Sequence, residues 1–218
     1  KLAINSQPLG DGSVIYKVSL NSDNWSGNLQ GYKVDADRNV DDEATWDAAN
    51  ELDGMGLSSR KVYTYVSNAG VKFDWNTVKG VSAFKNDLSF DDSSDADDGR
   101  GSERLDYILG DRSLEADGVN DADTDFRKRS SILGDIVNSA PVFVGVPDQN
   151  WDHVYSGYGE FREAQAEREE MIYVGANDGM LHAFNVEGDK DEAFAYVPSQ
   201  LLSSTRYKGL HALTEPGY

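Results

Sequence analysis

The residues best suited to acid–base chemistry or metal binding in this 218-residue chain are its three histidines, His153, His182 and His211. None of them has a second histidine at the spacing of a metal site. The chain has no cysteine, which excludes disulfides, thiolate-bound zinc and thiol catalysis. His182 follows Leu181 in an apolar run, where a strand would point the two side chains to opposite faces. This position favours a structural, hydrogen-bonding histidine over a catalytic one.

Motifs for nucleophilic catalysis or nucleotide binding do not occur in the sequence. It contains no G-x-S-x-G, no P-loop, and no G-x-G-x-x-G placed between a strand and a helix. The sequence therefore predicts no catalytic, cofactor-binding or metal-ligating residue, and we expect a protein that is not an enzyme.

Acidic stretches supply the carboxylate oxygens that Ca²⁺ prefers, so they are candidates for a calcium site. Asp35–Glu43 places oxygen-bearing side chains at alternating positions, as an EF-hand loop does. Val40 and Trp46, however, stand where that loop requires glycine and glutamate. Asp121–Asp125 fails at the same two positions. Both stretches are interpreted as solvated acidic loops, and Ca²⁺ binding by either remains open.

The net charge of the chain is −19 at pH 7, which is extreme for this length. Contacts to phosphate need Lys and Arg, so this charge argues against a nucleic-acid partner and against docking on anionic lipid. No stretch of 18 apolar residues occurs, and we expect no membrane-spanning segment. The 11 Tyr and 21 Gly, against 5 Pro, suit an all-β domain with many turns.

The elements that must position these residues are organised around Met171–Asn185, two apolar runs divided by Asp178-Gly179. This pattern predicts a tight β-hairpin. With flanking strands it predicts one unit of four short antiparallel strands: Pro141–Val146, Met171–Gly175, Met180–Asn185 and Ala193–Val197. Such a unit is typical of a propeller blade.

A partial copy of this unit precedes it in the chain. Gly27–Tyr32 shares the pattern Gly-x-Leu-x-small-aromatic with Gly179–Phe184, and each copy is followed by an acidic turn and an aromatic segment. Strands predicted over Val14–Leu20 and Leu29–Val34 would form the corresponding pair. The two copies indicate a repeated β-unit.

The rest of the chain predicts a mixture of short elements. They are strands at Arg60–Val66 and Val71–Trp75, helices at Asn76–Leu88 and Tyr158–Glu170, a strand leading into a helical turn or a short helix at Ala44–Leu52, a helix or strand at Leu105–Leu109, and exposed acidic loops at Phe90–Ser102 and Leu114–Asp125. The helices are expected as insertions in a β fold.

Three strings in the second half of the chain resemble the C-terminal domain of the PilC/PilY family, type IV pilus biogenesis proteins also called pilus tip-associated adhesins. They are Leu-Gly-Asp-Ile-Val-Asn-Ser within Phe126–Gly145, Asn-Asp-Gly-Met-Leu-His-Ala-Phe within Ile172–Asn185, and Phe194–Ser199. Shorter strings at Trp25–Gln30, Trp46–Ala49 and Arg104–Ser113 fit the family in the same order. The resemblance runs from about Val14 to Tyr218.

The resemblance implies an all-β fold, a modified β-propeller with quinoprotein-like blades of four antiparallel strands and short helical insertions. Residues 1–218 would be the first half of that propeller in a longer protein. Members of the family promote pilus assembly, oppose retraction, and take part in adhesion and twitching motility. They are exported through the periplasm and act at the pilus tip, on the cell surface or at the outer membrane. The implied partners are minor pilins and a host or surface receptor.

The family also has a Ca²⁺ loop that regulates retraction, and this loop lies in the later part of the propeller. We expect that part to lie outside this chain, so the resemblance transfers no calcium ligand to any residue here. Ca²⁺ is therefore a possible cofactor by resemblance only.

Two other functions remain open beside a non-enzymatic pilus-associated role. A quinoprotein-type propeller dehydrogenase, which binds pyrroloquinoline quinone and Ca²⁺, has similar repeats, but no matched catalytic Asp motif is found. A carbohydrate- or ligand-binding propeller module is suggested by four Trp and 11 Tyr, which ordinary blade packing would also explain. For the pilus role, the acidic segments Phe90–Ser102 and Leu114–Asp125 are candidate contact loops.

Overall fold

The computed structural model describes residues 1–5, 9–21, 26–117, 126–188 and 190–215. Within these ranges the strands are β1 (Leu2–Ile4), β2 (Val14–Asn21), β3 (Ser26–Lys33), β4 (Trp46–Asp47), β5 (Val62–Val66), β6 (Ala69–Lys72), β7 (Phe90–Asp91), β8 (Ala96–Asp97), β9 (Val142–Val144), β10 (Met171–Gly175), β11 (Leu181–Asn185) and β12 (Glu192–Tyr196). The α-helices are α1 (Ala48–Gly54), α2 (Trp75–Val78), α3 (Ser82–Leu88), α4 (Gly101–Leu109) and α5 (Tyr158–Ala164), and 3₁₀ turns occur at Leu57–Ser59, Ser199–Leu201 and His211–Thr214.

The first sheet contains β1 to β4 in chain order, and every neighbouring pair is antiparallel. β2 and β3 pair along all eight residues of each strand, which confirms the predicted strand pair. The inward positions of β3 are Gly27, Leu29 and Gly31, as the two-residue period of a strand requires. β4 supplies the predicted aromatic segment, and its Trp46 packs edge-on against Phe184 of the second sheet. β1 was not predicted.

The second sheet has the order β6-β5-β12-β11-β10-β9. Its last four strands are antiparallel and match the predicted blade. β5 then pairs with β12 in parallel, with Ala195 opposite Val62, and extends the sheet to six strands. The Thr64 hydroxyl strengthens this junction by donating to the Val197 carbonyl at 2.8 Å. The antiparallel partner of β5 is β6, which forms a hairpin with it.

The predicted helix over Asn76–Leu88 is divided into α2 and α3. Asp74 caps α2, because its side chain accepts a hydrogen bond from the Thr77 nitrogen. The chain then becomes extended at Val81 before α3 begins. Glycine at position 80 and a β-branched residue after it weaken a continuous helix. The predicted helix over Tyr158–Glu170 is likewise shorter, since α5 ends at Ala164.

The segment Phe90–Ser102, predicted as an exposed loop, is in part an ordered element. β7 and β8 form a two-residue hairpin within it, and α4 begins at Gly101. Asp92 is only 2% exposed, because its carboxylate serves as an internal hydrogen-bond acceptor. The tip of this hairpin, Ser93–Asp95, is exposed as expected.

Two apolar clusters fill the interior of the described chain. The first lies between the two sheets and includes Tyr16, Leu29, Trp46, Ile136, Ile172 and Phe184. The second lies between the β5–β12 side of the second sheet and the helices α2 to α4, and includes Phe73, Phe84, Leu88, Leu105, Val197 and Leu210. The sheets stay open in the described residues, and together they form a partial β-propeller with short helical insertions.

Candidate functional site

The loop between β10 and β11 forms the predicted hairpin. The Ala176 nitrogen donates to the Met180 carbonyl at 3.0 Å, and the Asp178 carboxylate accepts from the Met180 nitrogen at 3.1 Å. Gly179 has a φ of 87°, a left-handed conformation that glycine adopts without steric penalty. These three features place the Asp178 side chain beneath the loop, where it can contact other segments.

The string Leu133–Ile136 packs directly on this loop. The Gly134 nitrogen donates to Oδ2 of Asp178 at 2.8 Å, and a Cβ on Gly134 would lie 2.4 Å from the Asp178 nitrogen. The Asn177 nitrogen donates to the Asp135 carbonyl at 2.9 Å, and its side-chain amide donates to the Asp135 carboxylate at 2.7 Å. Glycine is required at 134 because a side chain there would clash with the opposing backbone.

The same string also contacts the first sheet. A Cβ on Gly27 of β3 would lie 2.6 Å from the Ile136 nitrogen and 2.7 Å from the Asp135 Cα. The string is therefore held between two backbones, one from each sheet. The two strings that most resemble the PilC/PilY family thus meet at one structural junction, which joins the sheets.

His182 is fully buried on β11 at the centre of a charged network. Its Nδ1 lies 2.7 Å from Oε1 of Glu192, and its Nε2 lies 3.0 Å from Oδ2 of Asp178. Glu192 also accepts from Nε and Nη2 of Arg60, each at 2.8 Å. Both ring nitrogens face carboxylates, so a protonated imidazole donates from both. The ionised network then holds two positive and two negative groups, whose charges balance.

Burial and the neighbouring charges shift the pKa values of this network in opposite directions. Burial alone would lower the pKa of His182, but the adjacent Asp178 and Glu192 carboxylates raise it to about 9. Burial likewise would raise the pKa of Glu192, but its hydrogen bonds and attraction to His182 and Arg60 lower it to about 2. Desolvation alone would raise the pKa of Asp178, but the charge and hydrogen bond of His182, the Gly134 hydrogen bond and the charge of Arg60 together lower it. All four groups are therefore ionised at neutral pH.

A second buried histidine network surrounds His211. Its Nδ1 lies 2.6 Å from Oδ1 of Asp87, and its Nε2 lies 3.1 Å from Oδ1 of Asp92. Asp87 also accepts from the backbone nitrogens of Ser203 and Leu210, each at 3.0 Å. The backbone nitrogens of Ser203 and Leu210 therefore bind a carboxylate of α3. The His211 ring binds that carboxylate and the one that follows β7. This network fixes residues 203–211 against the helical layer.

His182 has the hydrogen-bonded position that the sequence favoured, and His211 has a position of the same kind. Both rings are 0% exposed, and all four ring nitrogens contact carboxylates. His153 lies exposed in the segment between β9 and β10. Among the described residues, no group of three or more His, Cys, Asp or Glu side chains has a geometry that could hold a metal ion.

The partners of both histidines were not predicted from the sequence. Arg60 precedes β5 and Glu192 begins β12, positions at which charged residues are ordinary, so periodicity gives no sign of their burial. Asp87 and Asp92 lie in or beside an acidic segment that resembles a solvated loop. Only the central position of His182 in an apolar run pointed to a buried polar group.

The candidate calcium stretch Asp35–Glu43 begins with a closed turn. Oδ1 of Asp35 accepts from the Asn39 nitrogen at 2.8 Å, and Oδ2 accepts from the Asn39 side-chain amide at 3.0 Å. These bonds lower the pKa of Asp35, with the side-chain bond to Asn39 as the largest cause. These two oxygen-bearing side chains of the candidate stretch thus bind each other in this structure. The other candidate, Asp121–Asp125, lies outside the described residues, and the interpretation of both stretches as solvated acidic loops stays a prediction.

Two surface cavities stand out in the described chain. One, of about 430 Å³, lies beside the hairpin loop and is lined mainly by apolar side chains, including Met180, Leu201 and Leu213. The other, of about 580 Å³, lies between the end of β1 and the segment that connects β9 to β10. Aromatic rings and polar groups line the second cavity together, among them Trp151 and Arg168.

Comparison with known proteins adds an independent line of evidence. Residues 133–218 match the family model described as the PilY1 beta-propeller domain. The chain is 37% identical over 220 residues to the type IV pilus biogenesis factor PilY1 of Pseudomonas aeruginosa strain PAK, and equally to that of strain PAO1. It is 32% identical over 214 residues to a PilY1 homolog of Xylella fastidiosa.

These matches cover most of this chain but little of each relative. They include 93% of the chain for the two Pseudomonas proteins and 90% for the Xylella protein, against 17% and 15% of the relatives' own lengths. No solved structure matches the chain. In the described residues, no helix combines the length and apolar character needed to cross a bilayer. By these similarities and by its open blade-like sheets, the chain belongs to the PilY1 family, as a segment that includes part of the β-propeller.

Proposed function

We propose that this chain forms part of the scaffold of a type IV pilus biogenesis factor and acts through surface contacts rather than catalysis. The observation that carries the proposal is the 37% identity to Pseudomonas PilY1 over 93% of the chain. The match to the propeller family model supports it, because that match includes the string and the hairpin loop that join the two sheets.

In this role the chain supports pilus assembly, opposes retraction, and contributes to adhesion and twitching motility. Residues 1–218 belong to the first half of the propeller. The protein acts at the pilus tip, on the cell surface or at the outer membrane, with minor pilins as partners and a host or surface receptor in adhesion. The calcium loop that regulates retraction in the family lies, in this proposal, in a later part of the propeller outside this chain. The buried charge networks support the role by holding the blade in one arrangement.

We place a pilin contact at the acidic hairpin formed by β7 and β8. Its tip, Ser93–Asp95, is exposed, whereas the flanking Asp98 is held by Arg104 at 2.8 Å. A rigid base and an exposed acidic tip suit a partner that presents Lys or Arg, and the net charge of −19 favours the same partner. Leu114–Asp125 is a second candidate, of which residues 118–125 lie outside the described residues.

A chimera tests the proposed role. The matching segment of Pseudomonas aeruginosa PilY1 would be replaced by this chain in cells that lack their own PilY1. We expect surface pili, measured after shearing, and twitching zones to be retained. A chimera that is produced at the normal level but gives neither would contradict the proposal.

A charge variant of the chimera tests the contact surface. Asp95 has a φ of 53°, which asparagine tolerates, so Asp95→Asn removes a charge without forcing a new backbone conformation. We expect it to reduce surface piliation, while Asp37→Asn, in the exposed turn after β3, serves as the matched control and leaves piliation unchanged. Equal piliation in the two variants would show that the hairpin is not the contact.

A further inference from the structure

The cavity of about 580 Å³ beside β9 has the features of a ligand site that the pilus role does not use. Its walls come from the end of β1, from β9, and from the connection between β9 and β10, which includes α5. Phe143 and Glu170 approach the backbone closely at Gly145. A Cβ at this position would lie 2.7 Å from the Phe143 ring and 3.1 Å from the Glu170 carboxylate. The volume falls in the range of small-ligand sites.

Aromatic rings form one side of this cavity. Trp151 is 49% exposed and Phe161 is 45% exposed, although both are large apolar side chains. Trp151 packs against Tyr158 with a centroid distance of 5.7 Å, and Tyr158 packs against Phe161 at the same distance. The rings therefore support one another from the side while parts of their surfaces remain open to solvent. Each preordered ring offers an apolar face at little entropic cost.

Polar groups with planar side chains border the rings. Asp148, Gln149 and Glu170 supply carboxylate and amide oxygens, and Arg168 supplies a guanidinium. One Arg168 nitrogen donates to the Gly145 carbonyl, and its Nε has no hydrogen-bond partner among the described residues. The bond to Gly145 therefore holds the Arg168 side chain at the wall of the cavity, while its Nε is buried from solvent. A buried donor without a partner is rare in native proteins.

The combination of groups selects a chemical class of ligand. Asp148 and Glu170 disfavour an anion, as does the net charge of −19, and Arg168 disfavours a cation. An acyl chain would leave the carboxylates and the guanidinium without partners. A neutral sugar suits both the aromatic and the polar groups of the cavity. Its C–H face stacks on an aromatic ring, and its hydroxyls donate to carboxylates and accept from guanidinium. We propose that this cavity binds a neutral saccharide stacked on Trp151.

Sugar binding can be measured on this chain alone, so its outcome does not depend on the proposed pilus role. The chain would be screened against immobilised oligosaccharides ending in glucose, galactose, mannose or N-acetylglucosamine, with sialylated versions for comparison. The best binders would then be titrated as free oligosaccharides by tryptophan fluorescence and saturation-transfer NMR. We expect binding of at least one neutral sugar and weaker binding of its sialylated form.

Three variants assign the binding to the cavity. We expect Trp151→Ala to weaken binding about tenfold or more and Trp151→Phe to retain part of it, because phenylalanine keeps a stacking surface. Tyr65→Ala is the matched control, since Tyr65 is 48% exposed on β5, outside the cavity, and its removal should leave the affinity unchanged. Circular dichroism would confirm that each variant folds. No binding across the panel, or equal affinity of the Trp151→Ala and Tyr65→Ala variants, would overturn the proposal.

Discussion

At the scale of single residues, the charged groups around His182 show how burial changes the contribution of an ion pair to stability. The Arg60 and Glu192 side chains are 1% and 0% exposed, and they link the start of β5 to the start of β12. A buried ion pair adds little net stability, but loss of one partner leaves the other charge without water or a counter-ion. The network therefore contributes more to the alignment of the strands than to net stability. Removal of any one of its side chains should nevertheless destabilise the fold.

We expect Glu192→Ala to lower the free energy of unfolding by about 3–5 kcal/mol, because it leaves the buried Arg60 without its counter-charge and His182 with only the Asp178 carboxylate. The matched control is Asp97→Ala, which removes an ion pair to Lys85 whose side chains are 55% and 54% exposed. An exposed pair contributes less than about 1 kcal/mol. Urea unfolding measures both changes, and similar costs for the two variants would show that the network is not a buried charge cluster.

Stability should fall as the pH rises from 6.5 to 9. The pKa of His182 is raised from 6.5 to about 9 in the folded chain, so the folded state binds the proton more tightly than the unfolded state. This contribution is fully present below pH 6.5 and is lost as the pH rises through 9. We expect a loss of roughly 3 kcal/mol in the free energy of unfolding across this window. His182→Gln should flatten the profile, and an unchanged slope would assign it to other groups.

At the scale of elements, the hairpin loop and the string Leu133–Ile136 form one unit although 40 or so residues separate them in the chain. Asp178 illustrates this, because its carboxylate accepts from the Gly134 nitrogen at 2.8 Å and also faces His182 at 3.0 Å. One side chain therefore couples the string, the turn and the buried charge network. Its position at the turn follows from the Asp-Gly pair, whereas its partners follow from packing.

Gly134→Ala should destabilise the chain by about 1–3 kcal/mol, because the added Cβ would force two backbones apart. The contact at 2.4 Å is with the Asp178 nitrogen, which no side-chain rotation can relieve. Gly54→Ala is the control, since a Cβ there would meet no atom within 4 Å and position 54 ends α1. We expect that change to be neutral or to stabilise by up to about 1 kcal/mol. Denaturant unfolding distinguishes the two, and a neutral Gly134→Ala would disprove the tight junction.

The elements also show where periodicity succeeds and fails. Within the predicted helix Asn76–Leu88, the apolar spacing of Val78, Val81, Phe84 and Leu88 predicts side chains that pack inward, and all four contact the same core cluster. It did not reveal the break between α2 and α3, since apolar spacing reports which residues are buried rather than whether the backbone is continuous. Short helices held by tertiary packing need no uninterrupted run.

At the scale of the whole molecule, the residues that match the family model make essential contacts with residues outside the match. The match covers residues 133–218, but β12 within it pairs with β5 outside it, and Glu192 within it binds Arg60 outside it. Ile136 likewise packs in the core cluster that contains Leu29 and Trp46 of the first sheet. The matched residues therefore depend on the first half of the chain for their edge, their charge balance and their core.

We expect residues 133–218 produced alone to lack cooperative thermal unfolding, whereas the 218-residue chain unfolds in a single transition at least for its second sheet. The shorter piece exposes the strand edge that β5 covers and leaves Glu192 without Arg60. Circular dichroism and the dispersion of amide NMR signals report the difference. A sharp transition in the shorter piece would show that it is an independent unit.

The sequence by itself determined the local elements of this protein: the Asp178-Gly179 hairpin, the four antiparallel strands around it, the β2–β3 pair and the family. These follow from two-residue alternation, turn chemistry and strings of neighbouring residues, all of which are local. Only the tertiary structure decided that β5 extends the sheet in parallel, that Gly134 closes a junction, and that Asp87 and Glu192 are buried. Their partners lie far along the chain, and burial of a charge is set by the counter-charge that folding brings to it.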